Sequence, residues 1–171
     1  MRLASVLAGF AALAFSGAAL AAPVSVAPVS FSSEFQTELE DDYGVREGEY
    51  LRDAVNEAVA AALTRQGATL GQSAPLTIEI AIVDADPNRP TMQQLVDQPS
   101  LDAIRSISIG GAELHAVLRG SDGAVVSEVN HRRYNHTLAD IGGAATTWSE
   151  ARRAIRQFAE KVADAYVANA R

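Results

Sequence analysis

Leu76-Thr77-Ile78-Glu79-Ile80-Ala81-Ile82 is the stretch that decides the fold. Its large apolar residues fall at every second position, with Thr77, Glu79 and Ala81 between them. A period of two marks a strand with one face in the core and the other in water. Pro87 and Pro90 follow and end the strand, because proline donates no ladder hydrogen bond.

The same reading extends downstream. Residues 106–119 predict a second strand, with Ala112, Leu114, Ala116 and Leu118 on one face and Glu113, His115 and Arg119 on the other. Gly110-Gly111 interrupts it, which predicts a bulge or a close backbone approach. Gly120-Ser121-Asp122-Gly123 supplies hairpin chemistry, and residues 124–134 return as the partner strand. Between the first two strands, residues 91–104 allow a helical turn around Met92 to Val96. Thr147-Trp148-Ser149-Glu150 reads as a capping box that opens a helix running to about Asn169. Trp148, Ala151, Ile155, Phe158, Val162 and Tyr166 then recur at three and four residues and form its buried stripe.

Upstream, residues 47–66 predict a helix whose stripe is Leu51, Val55, Ala58, Val59, Ala62 and Leu63, stopped by Gly67. Residues 24–31 alternate loosely around prolines at 23 and 28 and predict an edge strand. Residues 32–44, polar and acidic, read as a loop. The order is therefore β-α-β-β-β-α. The expected class is α+β: an antiparallel sheet of about four strands, with two helices packed on one face.

Ahead of this domain, Met1-Arg2 precedes an apolar run of small residues that ends in Ala19-Leu20-Ala21. That is the pattern of an export signal cleaved before Ala22. Residues 1–21 are thus expected to be a removed leader and 22–171 a single domain. No later segment is apolar for long enough to cross a bilayer, so no transmembrane helix is expected after cleavage. The chain has no cysteine, which excludes a lipid anchor at the mature N-terminus and leaves the fold without disulfides. The expected location is periplasmic or secreted.

A formal net charge of −7 opposes phosphate backbones and makes nucleic acid an unfavourable partner. Chemistry-bearing motifs are missing. There is no Gly-x-Ser-x-Gly elbow, no glycine-rich phosphate loop and no zinc-protease histidine pair. No catalytic, cofactor or metal residues are assigned, and no cofactor is expected. His131 and His136 fall on opposite faces of an extended strand beside Arg132 and Arg133 and read as exposed polarity. Glu113 and His115 share a face and read as a solvated ion pair rather than a dyad. The run from Glu38 to Gly44 lacks the ligand spacing of a calcium loop and reads as hydrated. Asp84 and Asp86 suit an acid pair, but the stretch from Asp84 to Thr91 also has turn composition. A partner or ligand loop, if present, is expected where strands break, at Asp84, Asp86, Asn88, Arg89, Gly110 and Gly111.

Four stretches together carry a family likeness: 76–84 with its proline-rich sequel, Ile109-Gly110-Gly111-Ala112-Glu113-Leu114, Ser121-Asp122-Gly123-Ala124-Val125-Val126, and Trp148 opening the last helix. Over residues 50–168 the chain resembles a family of small exported bacterial proteins of unknown function, many of them lipoproteins. The lipid-attachment cysteine is missing here, so the anchor does not carry over. The layout also looks like that of accessory domains in outer-membrane assembly and transport, which implies a non-catalytic envelope role with a protein partner. The alternatives are a periplasmic hydrolase or a small-ligand or metal-binding protein.

Overall fold

A computed structural model describes residues 23–72, 74–141 and 146–170. The expected leader, 1–21, lies outside them. The chain runs through β1 (Val24–Val26), β2 (Ser30–Phe31), α1 (Ser33–Glu38), a π-helical turn (Leu39–Tyr43) and α2 (Val45–Arg65). It continues through β3 (Leu76–Asp86), α3 (Met92–Asp97), β4 (Gly111–Gly120), β5 (Val125–Tyr134), a short 3₁₀ turn (Leu138–Asp140) and α4 (Ser149–Asn169).

The alternating stretch is β3, and Leu76, Ile78, Ile80 and Ile82 are all buried. β3, β4 and β5 form the expected antiparallel meander. Among the described residues the sheet has five strands, more than the sequence suggests, and four α-helices accompany it. The stretch 24–31 splits at Ala27-Pro28-Val29 into β1 and β2, and both pair with β3 in parallel. The chain passes from β2 through α1 and α2 before it enters β3, and such a crossover is what parallel pairing requires. Alternation shows which residues face inward but not which way the strand runs, so the parallel edge was not legible.

The acidic stretch 32–44 is not a loop. Ser32 caps α1 by accepting the Phe35 N–H at 3.1 Å. Helical winding then widens into the π-turn, which closes with Gly44 N–H on the Leu39 carbonyl at 2.8 Å. Phe31, Phe35, Leu39 and Tyr43 recur every four residues, and Phe35 and Leu39 are buried. α2 and α4 pack on each other, and α4 crosses β4 and β5. Every residue of the stripe assigned to α4 is buried, and so is that of α2 apart from Ala58.

The start of α4 differs from expectation. Trp148 occupies the cap position and makes no side-chain capping bond. Instead Asn88, at the end of β3, accepts the Glu150 N–H at 2.9 Å and the Ser149 hydroxyl at 3.1 Å through Oδ1. Glu150, read as the reciprocal partner in a capping box, turns away to Arg133 on β5, where its Oε2 meets Nη1 at 2.7 Å. A local capping box loses to a contact with a distant loop because Glu150 and Asn88 are both buried and each has a better partner there.

Candidate functional site

One backbone irregularity positions the site. Strict alternation from Leu76 would carry Asp84 and Asp86 into the core. The β3–β4 register slips between Ile82 and Asp84, leaving Val83 as the extra residue. Beyond the bulge Ala85 faces inward opposite Ala112, and Asp84 and Asp86 face outward opposite Glu113 and Gly111. The next strand places Arg132 and Tyr134 in the same two rows.

Tyr134 lies across Gly111. A Cβ built on Gly111 would sit 2.3 Å from the Arg133 carbonyl oxygen and 2.6 Å from the Tyr134 ring, so only glycine fits. The missing side chain lets the Tyr134 hydroxyl donate to Asp84 Oδ2 at 2.5 Å. From the end of the π-turn, Tyr43 donates a longer bond of 3.4 Å to Asp86 Oδ1. Arg132 stacks 4.5 Å from the Tyr134 ring centre and binds Glu113 at 3.0 Å.

The electrostatics follow from crowding. Burial, then the neighbouring Asp84 charge, raises the Asp86 carboxyl above its ordinary value; the Tyr43 hydroxyl and Arg132 offset this in part. Glu38 is raised by burial first and then by the charges of Asp84, Asp86 and Asp42. Burial and the same carboxylates push both tyrosines well above their ordinary range. The hydroxyls therefore act as donors to carboxylates, not as bases.

Asp86 and Tyr43 open onto a cleft of about 450 Å³, walled by Pro87, Pro90, Gln94 and Ile107. Arg89, through its bond to the Ile104 carbonyl, and Asp102 brace the loop on its far side; Asp102 Oδ1 accepts the Ile104 and Arg105 N–H groups at 2.8 and 2.7 Å. Met92, Val96, Ile104 and Ile107 are exposed around this end of the molecule. The cleft thus pairs one lining carboxylate, Asp86, with an apolar surround. A groove of about 340 Å³ between α2 and α4 is lined by Ala54, Ala58 and Ile155, and its Arg65 and Glu160 are spent on each other.

The six residues singled out from the sequence gather at this end of the sheet in different roles. Asp86 lines the cleft, and Asp84 stands behind it on Tyr134. Asn88 is fully buried and ties three segments together: it caps α4, its Nδ2 donates to the Ser108 carbonyl at 3.3 Å, and its backbone N–H meets the Thr147 carbonyl at 2.6 Å. Gly110 is the floor beneath that carboxamide, since a Cβ there would meet Asn88 Nδ2 at 2.4 Å. Asn88→Ala removes the cap and strands buried donors, so it should cost about 2–3 kcal/mol in urea unfolding, with early loss of α4 by hydrogen exchange.

The remaining candidates do not converge. His115 lies farther down the sheet, 3.8 Å from Glu128, and Glu113 pairs with Arg132. His136 is exposed past the end of β5. His131, read as exposed polarity, is buried on the inner face, and its Nδ1 stands 3.0 Å from Lys161 of α4. Among the described residues no group of three or more His, Cys, Asp or Glu is placed to hold a metal ion.

His131 gives the molecule a pH dependence. Burial, then the Lys161 ammonium, depresses its pKa below the ordinary 6.5. A depressed histidine contributes full stability above the unfolded value, and that contribution is lost as pH falls through the folded one. The urea midpoint should therefore drop between pH 7.5 and 5, and His131→Gln should remove that part of the drop.

Tyr43, Tyr134 and Glu38 belong to the site but were not singled out individually from the sequence. The four-residue recurrence ending at Tyr43 was available as a signal. The reach of Tyr134 depends on the register across Gly111, which no local pattern encodes.

No family model matches the chain, and no curated protein matches it. Solved structures that superpose on it include a PelC variant from Paraburkholderia phytofirmans, a dodecamer, at 14% identity over 85% of this chain and 86% of that one, with a TM-score of 0.48. A DUF330 protein from Xanthomonas campestris superposes at 15% identity over 82% and 81%, with a TM-score of 0.46. A minor lipoprotein from Acinetobacter baumannii does so at 11% identity over 87% and 94%, with a TM-score of 0.38.

Proposed function

We propose that the protein is an exported, non-catalytic binding module of the bacterial envelope, with a leader removed after Ala21. Its acidic cleft docks a cationic group, flanked by apolar residues, on an envelope protein. The observation that carries this reading is the cluster of carboxylates in and behind the wall of the cleft. Asp84 and Asp86 are held by tyrosine hydroxyls, and burial first, then the charge of neighbouring carboxylates, raises the pKa values of Asp86 and Glu38. A guest cation relieves that repulsion and draws the carboxyls back toward their ordinary values. The apolar surround adds area that a free metal ion or small polyanion would not use. A net charge of −7 favours the same sign of partner.

The export half is tested by osmotic-shock fractionation of a Gram-negative host expressing the full chain, followed by intact-mass measurement. The expected species begins at Ala22 and is found in the shock fluid. A chain still carrying Met1 and retained with the membranes contradicts the reading.

A further inference from the structure

β5 ends the sheet, and among the described residues no strand pairs with its free edge. Asn135 N–H bonds to the Gly110 carbonyl at 3.1 Å, just past the strand end. In an antiparallel ladder such groups alternate, so the N–H and C=O of His131 and Arg133 turn toward β4, and those of Glu128, Asn130 and Arg132 turn outward. All three outward residues are exposed, and their side chains share the solvent face of the sheet, in the rows of Val117, His115 and Glu113.

Charges on an edge strand normally deter pairing. Here their signs are arranged about Asn130, with Glu128 two residues before it and Arg132 two residues after. We propose that two copies of the chain pair through β5, antiparallel, about a two-fold axis at Asn130, so that Glu128 of each copy opposes Arg132 of the other. The axis makes Asn130 face Asn130 and forms both ion pairs at once, as an isologous contact demands. An axis at Glu128 or Arg132 would set like charges against each other. An axis at Val129 or His131 would leave neither charge opposite an unlike one. Only the Asn130 register aligns outward backbone groups on both strands and satisfies both charges. Arg132 already binds Glu113 through Nε, and its remaining donors are free to extend the ladder into the second copy.

The test is sedimentation of the full chain, purified from expressing cells, across micromolar to millimolar concentration. A reversible dimer is expected. Asn130→Pro removes one outward N–H and leaves the β4 ladder intact; it should be monomeric throughout with an unchanged far-UV spectrum. Glu128→Arg and Arg132→Glu should each weaken the dimer at least tenfold, and the double exchange should restore it. A chain that is monomeric at every concentration, a dimer indifferent to Asn130→Pro, or a double exchange that stays as weak as the single variants overturns the proposal.

Discussion

Arg133→Met should destabilise the protein by about 3–5 kcal/mol, more than most single substitutions. Glu150 sits in the first turn of α4 with its side chain only 3% exposed, and Arg133 meets its carboxylate at 2.7 Å from the inner face of β5. Burying a carboxylate is expensive unless a cation is fixed beside it. Methionine keeps the aliphatic volume and removes the cation, so the loss reads the stranded charge rather than a cavity. Arg153 approaches the other carboxylate oxygen at 3.4 Å but is itself 43% exposed, so it compensates only in part. Arg133→Met/Glu150→Met removes both charges and should recover most of the loss. Urea unfolding of the two single variants and the double gives the coupling directly. Independent, additive losses would show that the pair does not join β5 to α4.

Phe158→Ala is the second large effect, also about 3–5 kcal/mol. Phe158 is wholly buried between Ile155 and Val162 on the inward stripe of α4. The helix is alanine-rich on that face, with Ala151, Ala154, Ala159 and Ala163 all buried. Small neighbours cannot swing into a phenyl-sized void, which places the cost toward the upper end of the range. A midpoint shift worth less than roughly half a kcal/mol would mean the stripe faces elsewhere.

That stripe was readable in advance because spacings of three and four residues have one structural meaning. The meander was readable for the same reason, since alternation and an Asp-Gly turn fix both facing and connection. What stayed hidden depends on relations between distant segments. Strand direction for β1 and β2 is set by the α2 crossover. The outward turn of Asp84 and Asp86 is set by one unpaired residue, Val83, and alternation alone predicts the opposite facing. Thr147-Trp148-Ser149-Glu150 satisfies a local capping rule, yet Asn88 and Arg133, remote in sequence, win both of its groups. His131 looks like strand polarity until α4 brings Lys161 over it. Gly110 and Gly111 were legible as a close approach but not as its two partners, the Asn88 carboxamide and the Tyr134 ring.

The central claim is that the acidic cleft docks a cationic envelope partner. Photocrosslinking in expressing cells tests it most directly, with the reactive side chain placed at Ile107 in the cleft wall and, as control, at Glu79 on the solvent face of the sheet. The expected result is one discrete adduct from position 107, absent from position 79, that falls at least tenfold when Asp86→Asn and Glu38→Gln neutralise carboxylates in the wall and beside it. An adduct from 107 that persists undiminished in the neutralised chain, or equal labelling from both positions, contradicts the account.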